Sequence, residues 1–257
     1  MHDPLSFRDK VVLVTGGGKG VGRGISRRFL ECGAHVVICG RQAPERLPAR
    51  AGREALFLPC DVRDVEQLER MMGHIVERFG RLDVLVNNAG GAPYADAASA
   101  SPRFSESIIR LNLLAPLNLC QLANRVMQAQ PEGGSIINIC SVSATRPSPG
   151  TAAYGAAKAG LLNLTRSLAV EWAPKVRVNA VTAGLILTEQ AGLHYGDDQA
   201  VAQVAATIPL GRLAEPDDIG DTCLYLASPL ARYVSGADLA VHGGGERPAF
   251  LYAANAH

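Results

Sequence analysis

Short apolar segments alternate with longer amphipathic segments along most of the chain. The apolar runs predict seven strands, at residues 11–14, 35–39, 55–58, 82–86, 135–140, 176–181 and 239–241. The amphipathic stretches predict helices at 20–32, about 64–79, 101–127, 151–172 and from residue 215 onward. Continuously apolar strands are buried on both faces, and strands that alternate with helices form parallel βαβ units. The pattern therefore predicts an α/β fold, with a doubly wound parallel sheet between two helical layers (αβα).

The composition narrows the class of protein without changing this fold prediction. The 257 residues are 47% hydrophobic and 19% charged, and no repeat or linker divides them, so one domain over 1–257 is expected. The net charge of +1 gives no reason to expect a nucleic acid or a membrane surface as partner. No segment approaches the roughly 18 apolar residues of a membrane span, and the polar N-terminal segment lacks a signal peptide's apolar core.

The cysteines give no sign of a metal site. The six are Cys32, Cys39, Cys60, Cys120, Cys140 and Cys223, and no two of them form a CxxC pair. Their neighbours are mostly apolar, so we expect buried thiols and no bound metal. Because a signal peptide is also lacking, we expect a cytoplasmic protein in a reducing compartment.

A glycine-rich segment separates the first predicted strand from the first predicted helix. It runs from Thr15 to Gly22 and fits the pattern TGxxxGxG. The first N–H groups of a helix are unpaired and lie at the positive end of its dipole, so they bind phosphate, and glycines let the backbone approach closely. A merely tight turn is the alternative, but the position after the first strand favours nucleotide binding. The residues expected to contact the nucleotide are Gly16, Gly18, Lys19, Gly20 and Val21.

The residues after the second strand bear on which dinucleotide binds. NAD-binding proteins usually carry Asp or Glu about 20 residues after the glycine turn, where the carboxylate bonds the ribose 2′-hydroxyl. Here that place holds Gly40 and Arg41, and a guanidinium can bind a 2′-phosphate. Lys19 adds a positive charge in the turn itself. NADP is therefore favoured over NAD, although Arg41 could instead begin a solvated basic loop with the arginines after it.

Tyr154 and Lys158 are four residues apart on a predicted helix, so they share one face. A free tyrosine has a pKa of about 10, and we expect the neighbouring ammonium to lower it by favouring the phenolate. Such a phenol can donate a proton to a carbonyl oxygen or accept one from an alcohol. The same ammonium can bond a nicotinamide ribose. An exposed helix contact without catalytic role is the alternative.

Two further polar side chains are candidates for the same site. Ser141 ends the fifth strand, where ligands of open parallel sheets bind, and its hydroxyl can donate to a substrate oxygen. Ser143 is the nearby competitor, and an ordinary turn serine is the alternative. Asn112 lies among leucines within the long predicted helix, where an unbonded amide would be costly. It either caps or bends that helix, or it bonds a water that relays protons from Lys158.

The ends of the third and fourth strands also carry polar residues. The segment from Asn87 to Gly90 (NNAG) can shape a loop against adenosine and brace the sheet, or it can form an ordinary turn. Asp61 can accept from the adenine amino group, or it can cap the helix that starts near Asp64. The residues expected to contact the cofactor here are Asp61, Val62, Asn88, Ala89 and Gly90.

In their order and spacing, these motifs resemble those of the short-chain dehydrogenase/reductase family in its short single-domain form. The match covers about 7–245. The resemblance implies a Rossmann-type sheet and a catalytic set of Asn112, Ser141, Tyr154 and Lys158, with Tyr154 as acid/base and with Tyr154 and Lys158 also contacting the cofactor. It implies that Lys19 and Arg41 occupy basic positions of NADP-preferring members, and that Ile186 and Thr188 contact the nicotinamide carboxamide. It also implies a homo-oligomer, either a tetramer or a dimer.

The chain departs from the family pattern after the sixth strand. Where the family usually has Pro-Gly, the sequence has Ala183-Gly184, and the missing proline leaves φ at residue 183 unrestrained. Residues 184–209 are expected to form a lid over the substrate. This segment mixes apolar side chains (Leu185, Leu187, Leu193) with acidic ones (Asp197, Asp198). The tail, 246–257, is long enough to reach a neighbouring subunit.

Together the motifs predict an oxidoreductase that moves a hydride between NADP(H) and the carbon of a small-molecule carbonyl or secondary alcohol. Binding both reactants in one cleft supplies proximity, and the cofactor supplies the hydride chemistry. A non-catalytic NADP-binding regulator is the alternative, and a 3-oxoacyl thioester reductase is a more specific version of the enzyme. A nucleotide-sugar epimerase or dehydratase fits poorly, because those relatives are usually longer after the sixth strand.

Overall fold

The computed structural model describes residues 3–253 and contains a seven-stranded parallel sheet. In chain order, the strands are β1 (Val11–Thr15), β2 (His35–Gly40), β3 (Ala49–Arg50), β4 (Arg53–Glu54), β5 (Leu56–Pro59), β6 (Val84–Asn87), β7 (Gly134–Ser141), β8 (Val176–Ala183) and β9 (Asp238–Val241). The sheet order is β5-β2-β1-β6-β7-β8-β9, while β3 and β4 form a separate hairpin. The chain thus reverses its direction of travel across the sheet between β1 and β6, which is where ligands bind in such folds.

Helices connect the strands and cover both faces of the sheet. They are α1 (Gly20–Glu31), α2 (Val65–Phe79), α3 (Pro102–Ile109), α4 (Ala115–Ala129), α5 (Ala152–Glu171), α6 (Ala191–Tyr195), α7 (Asp198–Ala206), α8 (Pro216–Ala227) and α9 (Phe250–Ala253). Local sequence sets several ends: Asp64 caps α2 by accepting from Gln67 N at 3.2 Å, and the helix stops at Gly80 with φ +70°. The predicted αβα fold is therefore confirmed.

The core consists of two apolar layers, one on each face of the sheet. Successive strand residues point to opposite faces, so Val11 and Leu13 pack with buried side chains of α2 and α4. Val12 and Val14 pack with those of α1 and α8. Because β1 is buried on both faces, its continuous apolar run is explained, as the sequence pattern predicted.

Two local features differ from the prediction. The long helix expected over 101–127 is interrupted by a π turn at Arg110–Leu114, which separates α3 from α4. Between the predicted second and third strands, where no element is predicted, the chain forms the β3–β4 hairpin, whose turn has Ala51 at φ +51° and Gly52 at φ +73°. A two-residue turn with both central φ values positive matches the twist of a hairpin, so this short pairing forms without an apolar run.

The cysteines, the helices and the potential metal ligands bear on the sequence-based expectations. All six thiols are free, and five of them are buried, whereas Cys32 is partly exposed. No helix within residues 3–253 combines the length and apolar character that crossing a membrane would require. In the same range, no three His, Cys, Asp or Glu side chains are placed to share a metal ion.

Candidate active site

A cleft of about 690 Å³ opens at the carboxyl ends of the strands, a size typical of cofactor sites. It brings together all but one of the residues singled out from the sequence as site residues. Those that line it are Gly16, Gly18, Lys19, Gly20, Val21, Arg41, Asp61, Val62, Asn88, Ala89, Gly90, Ser141, Tyr154, Lys158, Ile186 and Thr188. Asn112 is fully buried and lies behind Gly90.

The glycine turn after β1 is shaped for close approach to a phosphate. Gly16 and Gly20 have φ values of +64° and +47°, which L side chains rarely adopt. A Cβ on Gly22 would lie 2.4 Å from the Gly16 carbonyl oxygen and 2.5 Å from Asn88 Nδ2, so this position needs glycine. The N-cap residue, Lys19, makes no side-chain cap on α1. Helix α1 therefore presents backbone N–H groups to the cleft, and the turn fits a phosphate-bearing cofactor.

The segment after β6 braces neighbouring strands. Asn88 Nδ2 donates to the Thr15 carbonyl at 2.8 Å, and the N–H groups of Asn88 and Ala89 donate to Thr15 Oγ1 at 3.0 and 2.9 Å. Asn87 Nδ2 donates to Asn138 Oδ1 on β7 at 2.9 Å. The bracing role expected of this segment is thus present, and the bonds hold the cleft wall in a fixed position beside the glycine turn.

The end of the cleft near β2 and β5 is positively charged. Lys19 and Arg41 are exposed there, and within the described part of the chain neither is paired with a carboxylate. Asp61 accepts from Arg63 Nε at 2.9 Å and Nη2 at 2.6 Å, and these bonds hold the pKa of its carboxyl below the usual value. The alternative that Asp61 caps α2 is wrong, because Asp64 does so. Arg63 was not anticipated, although its place directly after Asp61 and Val62 was a signal.

Asn112 lies in the π turn, and its amide joins that turn to the loop after β6. Oδ1 accepts from Gly91 N at 2.9 Å, while Nδ2 donates to the carbonyls of Gly91 and Ile108 at 3.0 and 2.9 Å. The amide is therefore bonded, as its burial requires, and it lies where the helix departs from α geometry. A Cβ on Gly90 would lie 2.6 Å from Asn112 Oδ1 and 3.3 Å from Lys158 Nζ, so the groups are packed closely.

Tyr154 and Lys158 lie together on α5 beside the end of β7. Lys158 Nζ is 5.6 Å from the centroid of the Tyr154 ring and donates to the Ile139 carbonyl at 2.7 Å. Lys158 is only 3% exposed, so the alternative of an exposed helix contact is wrong. Ser141 Oγ accepts from Ser143 N at 3.2 Å, and the Ser141 hydroxyl also forms a hydrogen bond with Tyr154.

Burial determines the proton affinities of this pair. It raises the pKa of Tyr154 above its ordinary value, and a hydrogen bond with Ser141 only partly opposes this. Burial also lowers the pKa of Lys158. The lowering of the Tyr154 pKa expected from the sequence is therefore wrong for this structure, because desolvation of the phenolate is the largest influence on this pKa and raises it. At neutral pH the phenol holds its proton.

The segment 184–209, expected from the sequence to form a lid, is anchored at its start. The Gly184 N–H donates to the Val241 carbonyl at 2.9 Å, and Leu187 N donates to Ala214 O at 2.8 Å. The chain after Ala183 is thus held by backbone bonds despite the missing proline. Asp197 caps α7 by accepting from Ala200 N at 2.9 Å, which explains one of the two acidic residues. The Leu193 side chain and residues 254–257 of the tail lie outside the described part.

Known proteins resemble this chain along nearly its whole length. A family model described as enoyl-(acyl carrier protein) reductase matches residues 16–246. L-rhamnose 1-dehydrogenase (NAD(P)(+)) of Azotobacter vinelandii is 37% identical over 246 residues, covering 92% of this chain and 96% of that one. A 3alpha-hydroxysteroid dehydrogenase of Mediterraneibacter gnavus is 34% identical over 247 residues, covering 93% and 98%.

A solved structure gives the same result in three dimensions. The aldohexose dehydrogenase of Thermoplasma acidophilum superposes with a TM-score of 0.86 at 32% identity, covering 93% of this chain and 94% of that one. These relatives are dehydrogenases named for different substrates, so they share a reaction class rather than a substrate. With its fold, its cleft and its sequence in agreement, the chain belongs to the short-chain dehydrogenase/reductase family, whose members are oxidoreductases that use a nicotinamide cofactor.

Proposed function

We propose that the protein is an NADP(H)-dependent oxidoreductase that interconverts a carbonyl and a secondary alcohol, with Tyr154 as acid/base. The observation that carries this proposal is the convergence of Tyr154, Lys158 and Ser141 on one cleft that also contains the glycine turn. A bound nicotinamide would supply or accept the hydride. A purely regulatory NADP-binding protein would not need this buried phenol and amine beside the Ser141 hydroxyl.

The side chains divide the remaining work. Tyr154 is protonated at neutral pH, because burial raises its pKa, so it is set to donate to the oxygen of a carbonyl substrate. Ser141, which is hydrogen-bonded to Tyr154, donates its O–H to the same oxygen when a substrate is bound and orients it. Lys158 uses one donor on the Ile139 carbonyl and has others for the ribose hydroxyls of the cofactor. Oxidation needs the phenolate, so its rate should rise with pH toward the Tyr154 pKa.

The charges at the far end of the cleft support NADP over NAD. Lys19 and Arg41 are unpaired cations of the described cleft wall. Asp61, a carboxylate that lines the same cleft, is already paired with Arg63. A 2′-phosphate would therefore meet positive charge rather than a free carboxylate.

Relatives suggest where a substrate search should begin. Several are named for sugars or sugar acids, among them L-rhamnose 1-dehydrogenase, L-fucose dehydrogenase and 2-dehydro-3-deoxy-D-gluconate 5-dehydrogenase. Aldoses and sugar acids therefore come first in a screen based on NADPH absorbance. A 3-oxoacyl thioester comes next, because acyl thioesters are also the substrate class named in the description of the matching family model, enoyl-(acyl carrier protein) reductase.

The Tyr154→Phe variant tests the catalytic assignment. It should bind NADPH like the wild type but turn over the screened substrate about 100-fold more slowly or worse, since general acid–base catalysis contributes at least that much. Tyr233→Phe is the matched control, because Tyr233 is fully exposed and should be indifferent. Equal turnover by wild type and Tyr154→Phe would reject the assignment in favour of a regulatory protein.

A further inference from the structure

The carboxylate of Glu189 lies at the N-terminus of helix α1. Its Oε1 accepts a hydrogen bond from the backbone N–H of Gly20, the first residue of that helix, at 2.8 Å. Glu189 comes directly after Thr188 in the lid segment, and both residues line the cleft. The contact therefore joins the lid directly to the glycine turn, between residues that are 169 positions apart in the chain.

Helix α1 supplies no anion of its own at this end. Its N-cap residue makes no side-chain cap, and its first turn contains no Asp or Glu. By contrast, Asp64 caps α2 and Ser101 caps α3 from the adjoining sequence. A carboxylate near free N–H groups and the positive end of a helix dipole is stabilised. Glu189 thus fills, from the lid, a position that the helix itself leaves open.

We propose that Glu189 occupies the place of the cofactor's phosphates in the free enzyme, and that the dinucleotide must displace it to bind. The inference rests on the proposed function, because it requires a dinucleotide in this cleft. Two anions at one set of N–H donors repel each other, so the Glu189 charge lowers cofactor affinity. Since Glu189 is part of the lid, its displacement couples cofactor binding to lid movement. Glu189 is a positioning residue, and it takes no part in the proton transfer.

Binding measurements on two variants test this competition. E189Q keeps an oxygen that can accept from Gly20 but removes the charge, whereas E189A removes both. Calorimetric titrations with NADPH, NADH and inorganic pyrophosphate should show tighter binding by both variants, by about 2- to 5-fold, the size of an exposed charge–helix interaction. The factor should be equal for NADPH and NADH, because Glu189 faces the phosphates that they share. It should shrink at high salt.

A lid variant separates this effect from general loosening of the lid. D197N removes the charge that caps α7 within the same segment, but Asp197 makes no contact with α1 among the described bonds. It should therefore leave the three affinities unchanged. Equal or weaker binding by E189Q than by the wild type would overturn the inference, as would an equal gain in D197N.

The pyrophosphate titration distinguishes the two proposals. If wild type and E189Q bind neither dinucleotide, but E189Q binds pyrophosphate more tightly, the proposed function fails and the competition at α1 stands. If dinucleotides bind but neither they nor pyrophosphate distinguish E189Q from wild type, the competition fails and the proposed function stands. If nothing binds to either protein, both are rejected.

Discussion

Replacement of Gly90 by alanine tests whether the close packing behind the cleft positions Asn112 and Lys158, two of the proposed catalytic groups. The added Cβ would lie 2.6 Å from Asn112 Oδ1 and 3.3 Å from Lys158 Nζ. The Asn112 amide cannot yield freely, because it is fully buried and makes three bonds, to both backbone groups of Gly91 and to the Ile108 carbonyl. Relief requires the atoms to separate by roughly 0.5–1 Å. Overpacking of this kind costs about 1–3 kcal/mol.

A displacement of that size at the proposed catalytic groups is expected to lower kcat about 10- to 100-fold while the protein stays folded. Steady-state turnover of the screened substrate measures the loss, and circular dichroism checks the fold. Gly73→Ala is the control, since Gly73 lies within α2 and a Cβ added there would meet no atom within 4 Å, so alanine should stabilise the helix by about 1 kcal/mol. Unchanged turnover in a folded Gly90→Ala protein would refute the view that this contact positions Asn112 and Lys158.

Three further variants test the cofactor preference, the buried amine of Lys158 and the ion pair at the amino-terminal end of β6, away from the cleft. Arg41→Ala should weaken binding of NADPH about 10-fold or more and leave binding of NADH unchanged, with Arg46→Ala as control. An unchanged ratio of the NADPH and NADH affinities in calorimetric titrations would contradict the NADP assignment. Burial lowers the Lys158 pKa in the folded state, so the free energy of unfolding falls as the pH falls through this lowered pKa. Between pH 7 and 10, urea unfolding should show wild type gaining stability relative to Lys158→Met, by about 1.4 kcal/mol per unit of pKa shift. A stability difference that stays constant with pH would contradict the lowered Lys158 pKa. Asp83 is buried and accepts from Arg81 at 2.8 and 2.5 Å, so Asp83→Ala should lose about 2–4 kcal/mol of unfolding free energy but keep its turnover per folded molecule. A loss of turnover without a loss of stability would contradict a purely structural role for Asp83.

Local patterns in the sequence sufficed for the elements that local physics determines. The strands could be predicted because burial on both faces demands continuous apolar runs, and the turn at Gly16 and Gly20 because positive φ demands glycine. The β3–β4 hairpin could not, since Ala51 takes a positive φ that its side chain disfavours and only Gly52 signalled a turn. The π turn was also missed, because the residues on either side of Asn112 fit the pattern of one helix.

In the candidate site too, features set by local sequence could be predicted, whereas features set by tertiary packing could not. The spacing of Tyr154 and Lys158 placed them on one face of a helix, and the structure brings both to the cleft. The direction of the Tyr154 pKa was predicted wrongly, because desolvation depends on tertiary packing that spacing does not reveal. The Glu189 contact with Gly20 joins segments so far apart in the chain that no local pattern predicts it.

The π turn at Arg110–Leu114 sets α3 and α4 out of phase with each other. Regular helix repeats every 3.6 residues or so, and a single extra residue rotates the preceding helix by about 100° relative to the next one. This lets α3 face α5 while α4 faces β7 and α2. Deletion of one residue here would give a more regular rod, yet it would swing α3 off its neighbour and withdraw the Asn112 amide from Gly91. Irregularity in this helix is therefore the property that allows one continuous segment to serve both the scaffold and the cleft.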